Sequence, residues 1–358
     1  MGVSLRAAID LAVQQINDSG GVLGAPVRVV TSDEGDTPSS ALLAVQGLIE
    51  NGVDAIIGPT SSLNLLSTLS TSAQAGVLTC SPTASALSLD DFPDRGLFFR
   101  TVPSDSLEAQ AIALAVEESG SKSVALVYLD DAYGRPFGKA TERAIQRNTT
   151  VSPSVGFSAT EQSIAAAVTA VTAADPTVVV VIGSNSSGPA IIRAIDSAST
   201  GTRPTFVVND AVRRPDASAP PFGKDLGARV RGVSPPAYST SVAFTEALHS
   251  TNPDATGLYA ANAYDCVNLI ALAAQSSGST LGTMMALTIP SVSTGGSTCA
   301  SFPDCNEVLS DGRNPDYSGP DGSTSVDRNG NVTSARYERF SFDEGGRDIG
   351  RGHLTVGG

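Results

Sequence analysis

The sequence predicts an α/β chain folded as two doubly wound lobes. Three observations lead there. A length of 358 residues suits about two domains. Helical and strand patterns alternate in two successive series. The strand Thr177–Ile182 is nearly continuously apolar, as expected of a parallel strand covered by helices on both faces.

The first series opens with Leu5, Ala8, Ile9, Ala12, Val13 and Ile16 on one helical face, and Gly20-Gly21 stops that helix. Val27 to Thr31 is a β-branched run that reads as a strand. Thr37-Pro38 supplies an N-cap and first-turn pair for a helix over Ser39 to Glu50. A strand over Asp54–Ile57 ends at Gly58, a helix spans about Ser61–Gln74, and a strand over Val77–Cys80 ends at Ser81-Pro82. Phe98–Arg100 is a short strand, after which Ser104 or Asp105 caps a helix running to Glu118.

The second series begins after Gly120-Ser121. Strands over Ser123–Leu129, Val151–Phe157, Thr177–Ile182 and Thr205–Val208 alternate with helices over Gly134–Gln146, Glu161–Thr172 and Gly188–Ser197. Helices follow at about Val242–Ser250, Gly257–Gln275 and Leu281–Leu287. Ser291 to Ser325 reads as loop-rich, and Ala335–Phe342 as a final strand.

Composition excludes several functions. Net charge is −14 and only three of the 22 basic residues are Lys, so nucleic acid and anionic membrane surfaces are poor partners. No apolar run approaches the roughly 18 residues of a membrane span. Two widely separated histidines, His249 and His353, give little material for a His-based metal site or triad, and no cofactor is expected. Cys80 and Cys266 lie in apolar contexts and read as buried small hydrophobes. Cys299 and Cys305, in a Gly/Ser/Pro-rich stretch, read as a disulfide that stabilises by roughly 2–2.5 kcal/mol and implies an oxidising compartment.

Catalytic signatures are missing. There is no G-x-G-x-x-G after a strand and no G-x-S-x-G elbow. Gly134 to Ala140 has one residue too few for a phosphate loop. Asp327, Asn329, Asn331 and Glu338 take calcium-loop spacing, but Val332 stands where Gly is required; Asn329-Gly330 reads better as a tight turn.

The strand ends carry the candidate site, because ligands of doubly wound sheets bind beyond the carboxyl ends of strands. In the first lobe these are Gly58-Pro-Thr-Ser-Ser62 and Ser81-Pro-Thr-Ala-Ser85, both hydroxyl-rich; the first opens a helix whose free N–H groups favour a carboxylate. In the second they are Asp130-Asp131-Ala-Tyr133, Gly183-Ser-Asn-Ser186 and Asn209-Asp210, offering carboxylates and an aromatic face. One lobe suited to an anion and the other to a cation would clamp a zwitterion. The same residues also read as ordinary N-caps.

The order of these segments resembles the bacterial branched-chain amino-acid-binding proteins of ABC importers. The resemblance is carried by Gly58 to Ser62, Pro82 to Ser85, Phe99-Arg-Thr-Val-Pro-Ser-Asp105, Tyr128 to Gly134, Ala263-Tyr-Asp265, Asp316 to Pro320 and Ser325 to Gly330, over nearly the whole chain. It implies a type I periplasmic-binding fold, with lobes of residues 1–119 plus 251–324 and 120–250 plus 325–358 joined by a multi-strand hinge, and no catalysis. By position, Ser62 would hold a ligand carboxylate through its hydroxyl and N–H. The Thr83 carbonyl and Ser85 hydroxyl would take the ammonium with Asp210, and Tyr133 would close over the ligand. Ser184 or Asn185 stands where members carry a large aromatic, which leaves branched-chain specificity open.

The resemblance further implies an extracytoplasmic location, an ABC permease as partner, a small amino acid as ligand and a monomer. A receptor's sensing domain with the same fold is the alternative, and an α/β hydrolase using Ser61, Ser62 or Ser85 a third. Members begin with an export signal and a central strand, whereas this sequence is helical soon after Met1, so a missing first strand is expected.

Overall fold

The structure is a computed structural model describing residues 2–213, 222–236 and 238–357. Met1, on which the expectation about the missing front rests, lies outside them. The chain forms two units: residues 1–103 with 237–334, and 104–236 with 335–358. The sequence reading drew the breaks after 119, 250 and 324. The differences have local causes. The helix at 105–118 packs on strands of the second unit, and the helix at 242–251 packs on the first helix of the first.

In the first unit, α1 (Gly2–Asp18) and α2 (Pro38–Glu50) precede β1 (Ala55–Ile57), α3 (Ser62–Gln74), β2 (Leu78–Ser81) and β3 (Phe98–Arg100). Thr37 caps α2 reciprocally: its Oγ1 accepts from Ser40 N–H at 3.2 Å, and Ser40 Oγ accepts from Thr37 N–H at 3.1 Å. β1, β2 and β3 form a parallel sheet in that order. The strand expected at Val27 to Thr31 does not form. A β-branched run becomes a strand only on a ladder, and here Val29 and Val30 face solvent, 38% and 49% exposed.

The second unit runs α4 (Asp105–Glu118), β4 (Val124–Leu129), α5 (Gly134–Ile145), β5 (Val151–Phe157), α6 (Glu161–Ala174), β6 (Val178–Ile182), α7 (Ser187–Ala198), β7 (Thr205–Val208), α8 (Lys224–Gly227) and β8 (Val230–Ser234). The chain then returns to the first unit through α9 (Val242–Thr251), α10 (Ala260–Ser277), α11 (Gly282–Val292), β9 (Ser297–Cys299), α12 (Phe302–Ser310), β10 (Pro315–Gly319) and β11 (Gly322–Ser323). β12 (Ser334–Phe342) and β13 (Asp348–Gly357) complete the second sheet, ordered β13-β12-β8-β7-β6-β4-β5. Strands β5 to β8 and β4 are mutually parallel where paired, and β12 runs antiparallel to β8. All five residues of β6 are buried, with Ile191, Ile192 and Ile195 of α7 in the same core.

Residues 291–325 are not loop-rich. Cys299 and Cys305 are bonded as expected, and β9, β10 and β11 form a small sheet beside α12. Cys80 and Cys266, read as small hydrophobes, are in fact a second disulfide joining β2 to α10. Both are fully buried, so their apolar contexts were read correctly and their pairing was hidden by 186 residues of separation. α10 is buried along most of its length because α1, α11 and α12 pack on it, and its alanines keep those approaches short.

Candidate ligand-binding site

In the first unit the ends of β1 and β2 are tied to each other. Ser81 Oγ donates to the Pro59 carbonyl at 2.8 Å and accepts from Ala84 N–H at 3.1 Å. Thr83 Oγ1 donates to the Thr60 carbonyl at 2.8 Å, and Ser62 Oγ accepts from Ala86 N–H at 3.3 Å. Ser62, Thr83 and Ser85 are thus brought into one loop pair, each half-buried. Ser62 is the first residue of α3, and Ser61 makes no side-chain cap there, so the helix entry keeps N–H groups that an anion can use. A hydroxyl that accepts from Ala86 still has its own proton to donate.

Two residues shape these loops without having been singled out from the sequence. Glu34 accepts from Thr60 N–H at 2.6 Å and from Thr60 Oγ1 at 2.7 Å, fixing the turn that leads into α3. Arg100, fully buried at the end of β3, donates from Nη1 to the carbonyls of Ala84 and Ala86 at 3.3 and 3.2 Å. Its other donors reach Asn331 Oδ1, from Nε at 3.0 Å and Nη2 at 2.7 Å, and Asp90 through Nη2. A planar guanidinium with five donors suits such a junction.

In the second unit the strand ends of β4, β6 and β7 carry Tyr133, Ser184 and Asp210. β4 and β6 are adjacent while the chain runs outward from them on both sides, the switch point of a doubly wound sheet. Asn209 Oδ1 accepts from Gly183 N–H at 3.0 Å, which joins the ends of β6 and β7. Tyr133 packs edge-on to Phe137, ring centroids 5.9 Å apart, and burial together with Asp105, Asp210 and Glu108 pushes its phenol well above the usual range. Ser184, in the turn before α7, is tied to the start of that helix: its Oγ lies 2.8 Å from Ser187 Oγ and accepts from Ser187 N–H at 3.2 Å. The site residue that sequence reading missed here is Glu108 on α4, whose Oε1 accepts from Asp210 N–H at 2.8 Å. Burial pushes Asp210 up to about 6, against the Ala211 N–H, Asn209 and Arg213, which favour its ionised form.

No group of three or more His, Cys, Asp or Glu among the described residues is arranged to hold a metal ion. Asp327 Oδ1 instead accepts from the N–H groups of Asn329 and Asn331, at 2.8 and 2.9 Å, as the tight turn requires.

Solved structures share this architecture. An ABC transporter substrate-binding protein from Desulfitobacterium hafniense, solved with Leu, superposes with a TM-score of 0.75 at 20% identity, covering 97% of this chain and 95% of that one. A branched-chain amino acid transporter substrate-binding protein from Streptococcus pneumoniae, in complex with isoleucine, gives 0.73 at 21% identity, covering 100% and 95%. The fold is therefore the type I periplasmic-binding fold. A family model described as periplasmic binding protein matches residues 1–294, and the chain belongs to that family. Curated relatives agree. The substrate-binding protein BasB of a chemotactic signal transduction system in Halobacterium salinarum is 29% identical over 90% of this chain and 78% of its own length. A leucine-, isoleucine-, valine-, threonine- and alanine-binding protein of Pseudomonas aeruginosa is 23% identical over 76% and 73%. These bear out the resemblance read from the sequence.

Proposed function

We propose that the protein is the extracytoplasmic solute-binding component of an ABC importer, capturing a small amino acid and presenting it to a membrane permease. The observation that carries this is the family match over most of the chain together with complementary strand ends: hydroxyls and an open helix entry in one unit, Asp210 in the other. Ser62 takes the α-carboxylate, Ser85 and the Thr83 carbonyl share the ammonium with Asp210, and Tyr133 covers the ligand. Ser184 Oγ accepts from Ser187 N–H and keeps its own proton for the ligand or for Ser187 Oγ. The expected state is a monomer. Calorimetry against the amino acids and their amides tests this, with saturable binding of at least one neutral amino acid expected and no binding across the panel contradicting it.

One observation favours a second role for the same site, as a ligand sensor. The Halobacterium relative is the substrate-binding protein of a chemotactic signal transduction system. Co-purification with a permease or with a transducer separates the two.

A further inference from the structure

Buried carboxylates that face each other rarely ionise together, because each charge raises the cost of the next. Such a group stands around Asp210. Glu108 and Asp105, one turn apart at the start of α4, are 1% and 0% exposed. Glu108 Oε1 holds the backbone N–H of Asp210 at 2.8 Å. The charges facing Glu108 are Asp210, from the turn after β7, and Asp105, from its own helix; the Tyr133 phenol at the start of α5 faces all three acids. Among the described residues, Arg213 is the cation facing Asp210, yet it is committed elsewhere, to Glu338 of β12 at 2.6 Å and Asp348 of β13 at 2.5 Å.

We infer that Glu108 is the proton-holding partner of Asp210, so that an ammonium-bearing ligand docking on Asp210 drives protons out of the cluster into solvent. The inference rests on the proposed role of Asp210. Burial, Asp210 and Asp105 push Glu108 well above the usual carboxylate range, against the Asp210 N–H, which favours its ionised form, so Glu108 holds its proton to higher pH than an ordinary carboxylate. The charge balances. An ammonium brings one positive charge, lowers the proton affinity of both acids, and the released proton passes to buffer. Affinity for such a ligand therefore rises with pH by the number of protons released, and the macroscopic steps belong to the cluster rather than to one residue.

The test is calorimetry of leucine binding at pH 6, 7 and 8, each in two buffers of different ionisation enthalpy, which yields the protons released. The wild type should release about half a proton near pH 6 from Asp210, which titrates at about 6, and a further fraction at pH 7 and 8 from Glu108. Glu108→Gln should keep the release near pH 6 and lose that at pH 7 and 8. Equal proton counts for both proteins at every pH, with leucine bound, overturn the inference and leave the amino-acid site standing. Leucine and the rest of the amino-acid panel failing to bind the wild type overturns both. Carbon-13 NMR of glutamate-labelled wild type needs no variant: the Glu108 carboxyl resonance should move toward its ionised position on adding leucine at pH 7, and an unmoved resonance contradicts the proposal.

Discussion

Arg100 shows how one side chain can organise a loop that never touches it in sequence. It joins Ala84 and Ala86 on one side to Asn331 and Asp90 on the other, entirely out of solvent. Arg100→Met removes one partner of a buried, hydrogen-bonded ion pair and should cost about 3–5 kcal/mol in thermal or urea unfolding. Arg100→Lys, which cannot fork, should recover only part of that loss. Asp210→Asn should weaken binding of an α-amino acid by about 2–5 kcal/mol, while an analogue without the ammonium loses little; equal losses in calorimetry would make Asp210 structural. Asp265 offers a pH test away from the site. Burial raises it to about 7, although Tyr317 donates to it at 2.7 Å and Thr324 at 3.1 Å. A raised acid binds more protons folded than unfolded, so its contribution is complete below the ordinary value of 3.8 and is lost as pH rises through about 7. Melts between pH 5 and 8 should therefore fall more steeply with pH in the wild type than in Asp265→Asn.

At the scale of elements, the helices and the central strands of the second sheet were legible because their signals are local. Thr37-Pro38 caps α2, Ser104 caps α4, and the run ending at Ile182 has nowhere to sit but a covered sheet. What was not legible depends on partners distant in the chain. Residues 27–31 have strand residues but no ladder, and β9 to β11 are strands only because they pair with one another. The hydroxyl loops of the site could be read from strand ends, whereas Glu34, Arg100 and Glu108 act on groups 26, 231 and 102 residues away. The Cys80–Cys266 link is of the same kind. Replacing both cysteines by Ala should destabilise by up to about 5 kcal/mol, the chain-entropy figure for so long a loop, and reduction should reproduce the loss in thermal melts. Gly330 marks a tight local constraint. Its φ is +77° and any Cβ would meet the Phe98 carbonyl, so Gly330→Ala should cost more than about 1–2 kcal/mol.

For the whole molecule, two α/β units with ligand-type chemistry at their strand ends agree with membership of the periplasmic binding protein family. A net charge of −14 makes polyanions poor partners. The most direct measurement is calorimetric titration of the purified chain with leucine, isoleucine, valine, threonine and alanine, each beside its deaminated analogue. The account predicts saturable one-to-one binding of at least one amino acid and a large loss of affinity for the analogue lacking the ammonium. Equal binding of both members of every pair, or of neither, would contradict it.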